Sequence, residues 1–137
     1  GGFGCMGFSL PAAIGAKIGN KNKRIISLNG DGAFQMSMAE LSTLKQENLD
    51  IKIVIFNNKA LGMIKEYQHL KYNNNYTFNE LNGFPHFDDI ARAYELDYKE
   101  CHSNKEMKAC IKWLLNSKGS CILELNVDRD AFTSMNM

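Results

Sequence analysis

Oxygen-bearing side chains close two successive apolar runs of this sequence. Gly30-Asp31-Gly32 ends the first run, and Asn57-Asn58 ends the second. An Asp carboxylate and an Asn carbonyl are hard oxygen ligands, which Mg²⁺ takes sparingly while water and substrate phosphates fill the rest of its octahedron. The two motifs together therefore predict a magnesium and diphosphate site built on Asp31 and Asn58.

The elements that must position these motifs form one strand–helix–strand unit. Residues 25–29 and 51–56 are short apolar runs typical of strands, and the second is apolar enough for a strand covered on both faces. Residues 36–48 carry Leu41 and Leu44 at helical spacing. In open parallel sheets, ligands bind at the carboxyl ends of the strands. We therefore expect both motifs to face the same crevice.

The rest of the chain continues to alternate between helices and strands. The alternation predicts an α/β fold, a doubly wound, mostly parallel sheet with helices on both faces. Ser9 is expected to cap the first helix. The other segments are helices at 9–19, from 61 onward, at 87–94 and at 105–116, and strands at 96–101 and 121–127.

Residues 1–137 are predicted to form one domain, with a loose tail at 128–137. The chain opens on glycine without an initiator Met, and no strand precedes the first helix. We therefore expect a piece of a longer polypeptide, with the N-terminal part of the domain missing.

Composition excludes several classes of function. Of the residues, 45% are hydrophobic and 23% charged, which is typical of a globular domain. A net charge of +1 without a basic stripe argues against nucleic-acid binding. No apolar run approaches the roughly 18 residues that span a bilayer. The four cysteines lack CxxC spacing, which indicates reduced thiols in a cytoplasmic protein.

Residues 2–7 also match GxGxxG, the phosphate-binding pattern of dinucleotide-binding domains. In such a domain Asp31 would bind the ribose hydroxyls. The pattern should follow a strand, however, and a dinucleotide fold does not explain Asn57-Asn58. Each polar motif taken alone is also typical of an ordinary turn. An NAD-binding domain remains the more remote alternative.

Taken together, the motifs resemble a known family. Gly30-Asp31-Gly32 followed by Asn57-Asn58 resembles the signature of enzymes that depend on thiamine diphosphate. Residues 2–16 and 61–64 resemble the corresponding segments of acetolactate-synthase-like members. The resemblance covers residues 1–68 motif by motif, and beyond them only the architecture. It implies the C-terminal, thiamine-diphosphate-binding domain of such an enzyme.

The resemblance also implies roles for individual residues. Mg²⁺ would be bound by the side chains of Asp31 and Asn58 and by the carbonyl of Ala60. Backbone N–H groups at helix N-termini would hold the diphosphate, and the Met6 side chain would keep the cofactor bent. The implied cofactor-binding residues are Gly4, Met6, Gly30, Asp31, Gly32, Ala33, Asn58, Gly62 and Met63.

The reaction implied by the resemblance is decarboxylation of a small 2-keto acid and ligation of the resulting enamine to a second carbonyl compound. Ile64 stands where pyruvate-decarboxylase-type members carry an acidic residue, which favours ligation. Tyr67 stands where acetolactate synthases typically have Trp. A thiamine-diphosphate-dependent 2-keto acid decarboxylase and a non-catalytic domain of the same fold are the alternatives.

No residue of this chain is assigned a catalytic role by the resemblance. The acid that activates the cofactor's pyrimidine would be a Glu on a pyrimidine-binding domain of the same or another subunit. We therefore expect the 137 residues alone to be inactive. The resemblance further implies a homodimer or homotetramer, and any FAD would sit on a domain outside this chain. Composition, as above, predicts a cytoplasmic protein without membrane or nucleic-acid partners.

Overall fold

Four parallel strands form a single sheet in this computed structural model, which describes residues 3–83 and 85–133. The strands are β1 (Ile25–Gly30), β2 (Ile51–Asn57), β3 (Asp97–Cys101) and β4 (Cys121–Asn126), in the spatial order β1-β2-β4-β3. One helix precedes the first strand and five lie between strands: α1 (Ser9–Gly19), α2 (Asp31–Ser37), α3 (Leu41–Gln46), α4 (Gly62–Lys71), α5 (Phe87–Ala93) and α6 (Asn104–Asn116). The predicted parallel α/β architecture is confirmed.

Two apolar clusters hold helices against opposite faces of the sheet. On one face, Leu10 of α1 and Phe34 of α2 pack with α3 and α5 against Ile53 of β2. On the other face, Cys110 and Leu114 of α6 pack on β3 and β4. This second face is covered only in part, since Leu28 of β1 is 59% exposed.

The helix that follows β1 begins earlier than predicted. The structure has α2 directly after the strand, then a short 3₁₀ helix (Met38–Glu40) and α3, where the sequence pattern predicted one helix at 36–48. Gly30 is extended (φ −77°, ψ 159°) and serves as the N-cap, so the chain turns from strand to helix within one residue. Asp31 therefore lies in the first helical turn, where a negative charge is favourable.

The predicted cap of α1 is wrong. Phe8, not Ser9, stands at the N-cap position, and no side chain caps the helix. Ser9 is the first helical residue, and its hydroxyl lies 2.9 Å from the hydroxyl of Ser27 on β1. Because the side chain bonds across to the sheet, Ser9 fastens α1 to β1 instead of capping the helix.

Residues 128–133, expected to be loose, contact α4. The ammonium of Lys65 pairs with Asp130, and the Thr133 hydroxyl lies 2.8 Å from the Glu66 carboxylate. Both α4 side chains are buried, at 7% and 4% exposure. A buried charge is costly without a partner, so residues 128–133 supply the partners that the buried Lys65 and Glu66 side chains need. The last four residues of the predicted tail lie outside the described residues.

All four cysteines are unpaired, as predicted, and three of them are buried. Among the described residues, no helix combines the length and apolar character that crossing a bilayer requires.

Candidate functional site

Asp31 joins the two polar motifs at the carboxyl ends of β1 and β2. Its side chain is only 3% exposed. Oδ1 accepts a hydrogen bond of 2.7 Å from the N–H of Gly32, and Oδ2 accepts one of 2.7 Å from the N–H of Lys59. Adjacent parallel strands bring the motifs together, since Gly30 is in register with Phe56. The two motifs are therefore adjacent in the structure.

Burial raises the pKa of the Asp31 carboxyl above its usual range. The backbone N–H groups of Gly32, Lys59, Asn58 and Ala60 act in the opposite direction but do not outweigh burial. The ionised carboxylate is thus poorly compensated by the protein's own groups. A bound divalent cation would supply the missing positive charge and invert this balance.

Asn58 lies in the loop of residues 58–61, which connects β2 to α4 and faces Asp31. Its Oδ1 accepts a hydrogen bond of 3.1 Å from the N–H of Ala60, which leaves this oxygen a second lone pair. A Cβ built on Gly62 would lie 2.8 Å from Asn58 Nδ2, closer than real Cβ contacts. Glycine at position 62 therefore lets the Asn58 side chain lie against the start of α4.

The N-termini of α2 and α4 meet beside this loop. A Cβ built on Gly32 would lie 3.0 Å from Leu61 Cδ2, and Leu61 is the residue that precedes α4. Ala33 is the third residue of α2, where an N–H has no partner inside the helix. Gly62 and Met63 hold the corresponding first positions of α4. Two helix N-termini in one place favour an anion such as diphosphate.

Met6 approaches the same place from the N-terminal segment. Its Cε would lie 3.2 Å from a Cβ on Gly32, although the residue remains 45% exposed. Gly4 adopts a positive φ of 59°, and a Cβ built on it would have no neighbour within 4 Å. The structure thus brings Met6 to the predicted residues, and the role expected for Gly4 stays a prediction. Residues 3–8 contain no strand, and Gly2 of the GxGxxG pattern is outside the described residues.

A buried hydrogen-bond network behind the loop was missed by the sequence analysis. Glu124 of β4 is 6% exposed, and its carboxylate accepts 2.6 Å bonds from Asn57 Nδ2 and from the Tyr98 hydroxyl. Burial and the Glu124 carboxylate both raise the pKa of Tyr98, so its hydroxyl stays protonated. These three residues line a cavity of about 620 Å³ beside the loop. The sequence does carry one sign of this network, because Glu124 places a carboxylate within the otherwise apolar run 121–125.

A second cluster of ligand-type atoms lies elsewhere. Cys101, Glu106 and Cys110 place one such atom each within 4.8 Å of the others. Glu106, however, accepts hydrogen bonds from the His102 N–H and the Ser103 hydroxyl at the start of α6. The two thiols belong to the apolar cluster under α6. Hydrogen bonds to the segment that precedes α6 account for Glu106, and core packing accounts for the two thiols.

Comparison with known proteins places the chain among thiamine enzymes. Residues 1–125 match the family described as thiamine pyrophosphate enzyme, C-terminal TPP binding domain. An acetolactate synthase from Arthrospira platensis is 38% identical over 131 residues, covering 95% of this chain and 23% of the relative. The Escherichia coli K12 acetolactate synthase isozyme 2 large subunit is 35% identical over 127 residues, covering 93% of this chain and 23% of the relative. The chain thus spans less than a quarter of these relatives' length.

Solved structures share the fold. The thiamine diphosphate-dependent 4-hydroxybenzoylformate decarboxylase of Rhodococcus jostii RHA1 superposes with a TM-score of 0.80 at 22% identity, over 95% of this chain and 24% of that one. Benzoylformate decarboxylase of Polynucleobacter necessarius gives 0.78 at 25% identity, over 91% of this chain and 24% of that one.

Proposed function

This chain belongs to the family of C-terminal TPP-binding domains of thiamine pyrophosphate enzymes, and from this we propose that it holds Mg²⁺ and the diphosphate of thiamine diphosphate in an enzyme of the acetolactate synthase type. The observation that carries the proposal is the buried Asp31 carboxylate, which accepts a hydrogen bond from the backbone N–H of Lys59, the residue after Asn57-Asn58. That contact joins the two polar motifs into one site.

The donor set fits the group. Asp31 and Asn58 offer hard oxygen atoms, and the proposal adds the carbonyl of Ala60, whose N–H is already taken by Asn58. Glycine at positions 32 and 62 lets neighbouring side chains, including Met6 and Asn58, approach the starts of α2 and α4 more closely than a Cβ would allow. The N–H groups at the starts of α2 and α4 supply positive ends for phosphate oxygens. This chain therefore offers both a cation site and an anion site, which a metal–diphosphate pair requires.

The bound cofactor supplies a nucleophilic carbon that makes loss of CO₂ from a 2-keto acid feasible. The residues of this chain bind and orient it. In this proposal, the Met6 side chain supports the cofactor's bend, and the pyrimidine-activating Glu comes from another domain or subunit, in a homodimer or homotetramer. The fragment of the 2-keto acid that remains after CO₂ is lost would then be ligated to a second carbonyl compound.

The proposal is tested by calorimetric titration of the full-length protein with thiamine diphosphate. We expect binding in the presence of Mg²⁺ and little or none after the divalent ions are chelated, because the diphosphate would then meet the Asp31 carboxylate without a neutralising ion. NAD is the control ligand and is expected not to bind. Equal affinity for thiamine diphosphate with and without chelator would contradict the metal assignment.

The side chain at position 64 is expected to influence the product. Ile64 is 48% exposed on the first turn of α4 and cannot transfer a proton. We therefore expect ligated product to exceed free aldehyde when the full-length enzyme is given candidate 2-keto acids, and Ile64→Glu to raise the aldehyde share. Ile111→Glu, at a similarly exposed site on α6, is the matched control. Predominantly free aldehyde from the unaltered enzyme would favour the decarboxylase alternative.

A further inference from the structure

Glu124 is a buried carboxylate in the middle of an apolar strand. β4 lies between β2 and β3, and its other residues up to Leu125 are buried apolar side chains. A carboxylate there is costly unless it is well hydrogen-bonded. Both of its oxygens are bonded, one to Asn57 and one to Tyr98. Local packing alone does not require a charged residue at this position.

The carboxylate determines how the Asn57 amide is oriented. A carboxylate only accepts hydrogen bonds, so the Asn57 group that faces Glu124 must be the Nδ2 donor. Oδ1 of Asn57 is thereby turned toward the loop, where it accepts the Lys59 N–H at 3.1 Å. The orientation of this amide is therefore fixed from both sides, by the acceptor oxygen of Glu124 and by the Lys59 N–H, which only donates.

The N–H of Lys59 is shared between this network and the candidate metal site. It donates to Asn57 Oδ1 at 3.1 Å and to Asp31 Oδ2 at 2.7 Å. Lys59 has a φ of 54°, a left-handed conformation that side-chain-bearing residues adopt at an energetic cost. The loop therefore needs support to hold this shape, and the two oxygen acceptors provide it. Asn58 lies between the two residues that are held.

We propose that Glu124 and Tyr98 are positioning residues for the metal and diphosphate site, acting through Asn57 on the loop that carries Asn58. The path runs from the Tyr98 hydroxyl to Glu124, to the Asn57 amide, and to the Lys59 N–H that Asp31 also accepts. In this proposal neither residue is itself a metal ligand. The inference rests on the proposed function, because the loop matters only if Asp31 and Asn58 bind the metal.

The test measures Mg²⁺ affinity at saturating thiamine diphosphate, and separately the thermal unfolding midpoint without ligands, in the full-length protein. Glu124→Leu is expected to weaken Mg²⁺ binding by roughly 10- to 100-fold, as with other residues that orient metal ligands. Glu124→Gln keeps an oxygen acceptor for Asn57 and is expected to restore most of the affinity. A merely structural role would lower the unfolding midpoint of Glu124→Leu and leave the affinity of the folded protein unchanged.

Two matched variants separate positioning from other effects. Glu100→Leu removes the same charge at the neighbouring position on β3, beside the same cavity, where the carboxylate is bonded to Asn126 instead of Asn57. It controls for the long-range electrostatic effect and is expected to leave Mg²⁺ affinity nearly unchanged. Tyr94→Phe removes a surface hydroxyl bonded to Ser42 and is the control for Tyr98→Phe.

Tyr98→Phe decides the matter if Glu124→Leu does not fold. It removes one hydroxyl and should weaken Mg²⁺ binding several-fold, while Tyr94→Phe leaves it unchanged. If the unaltered protein binds thiamine diphosphate with Mg²⁺, two results would overturn the positioning role alone. One is equal Mg²⁺ affinity in Tyr98→Phe and Tyr94→Phe, and the other is an equal loss of affinity in Glu124→Leu and Glu100→Leu. Failure of the unaltered protein to bind thiamine diphosphate with Mg²⁺ would overturn both the proposed function and this inference.

Discussion

Replacing Asp31 by Ala is expected to reduce thiamine diphosphate binding to the full-length protein below detection. The carboxylate is the one charged ligand in the proposed metal site, and without it the ion has no counter-charge among the site's neutral donors. Mg²⁺ would then no longer neutralise the diphosphate, which would meet only backbone N–H groups. Calorimetry with thiamine diphosphate at saturating Mg²⁺ measures the effect.

The same variant should not lose stability in the absence of ligands. Burial raises the pKa of Asp31, so at neutral pH its ionised form disfavours the folded state. Removing it relieves that penalty, although it also removes acceptors for the N–H groups of Gly32 and Lys59. We expect a thermal unfolding midpoint equal to or above that of the unaltered protein. This combination is typical of residues kept for function at the expense of stability.

Asp89→Ala is the control for that experiment. Asp89 is an exposed residue of α5 whose partner is Arg92, and such surface pairs contribute little. The Asp89→Ala variant should bind thiamine diphosphate with the same affinity as the unaltered protein. Retained metal-dependent binding in Asp31→Ala would show that the metal is held elsewhere.

The second large effect is expected for Gly62→Ala. The new Cβ would lie 2.8 Å from Asn58 Nδ2, so the Asn58 side chain must move away from the start of α4. Its Oδ1 moves with it and leaves the position from which it would bind the metal. We expect Mg²⁺ affinity at saturating thiamine diphosphate to fall roughly a hundredfold. The fold should tolerate the change, since alanine is a better helix former than glycine.

Gly15→Ala is the matched control, also a Gly-to-Ala change inside a helix. A Cβ at Gly15 of α1 would have no neighbour within 4 Å, and the residue is exposed. Its Mg²⁺ affinity should be unchanged and its stability slightly increased. An unchanged affinity in Gly62→Ala as well would mean that the Asn58 side chain is free to shift without cost, and that its observed position is not the one that binds metal.

The sequence was sufficient to place Asp31 beside the loop of Asn58. Two apolar runs and a helical period between them specify a strand–helix–strand unit, and the parallel geometry then brings the strand ends together. The early start of α2 was missed because Gly30-Asp31-Gly32 has the composition of a turn. In the structure the first glycine is the N-cap, and the helix begins at the aspartate.

The contacts of Glu124 were beyond the sequence for a different reason. Asn57 and Tyr98 lie on separate strands, β2 and β3, and both reach Glu124 because β4 lies between those two strands. Alternation of helices and strands does not specify that order. The contacts of Lys65 and Glu66 with residues 128–133 likewise depend on where the chain passes after its last strand.

The Lys59 contact to Asp31 has a consequence for how this loop tolerates mutation over evolutionary time. The donor is a backbone N–H, so almost any replacement of the exposed Lys59 side chain leaves the contact intact. The left-handed conformation admits glycine and asparagine most readily and disfavours β-branched residues. Proline alone removes the donor outright and fixes φ at about −65°. Substitution at position 59 is therefore limited by the backbone conformation and not by the side chain. A description of the site that considers only side chains would omit this constraint.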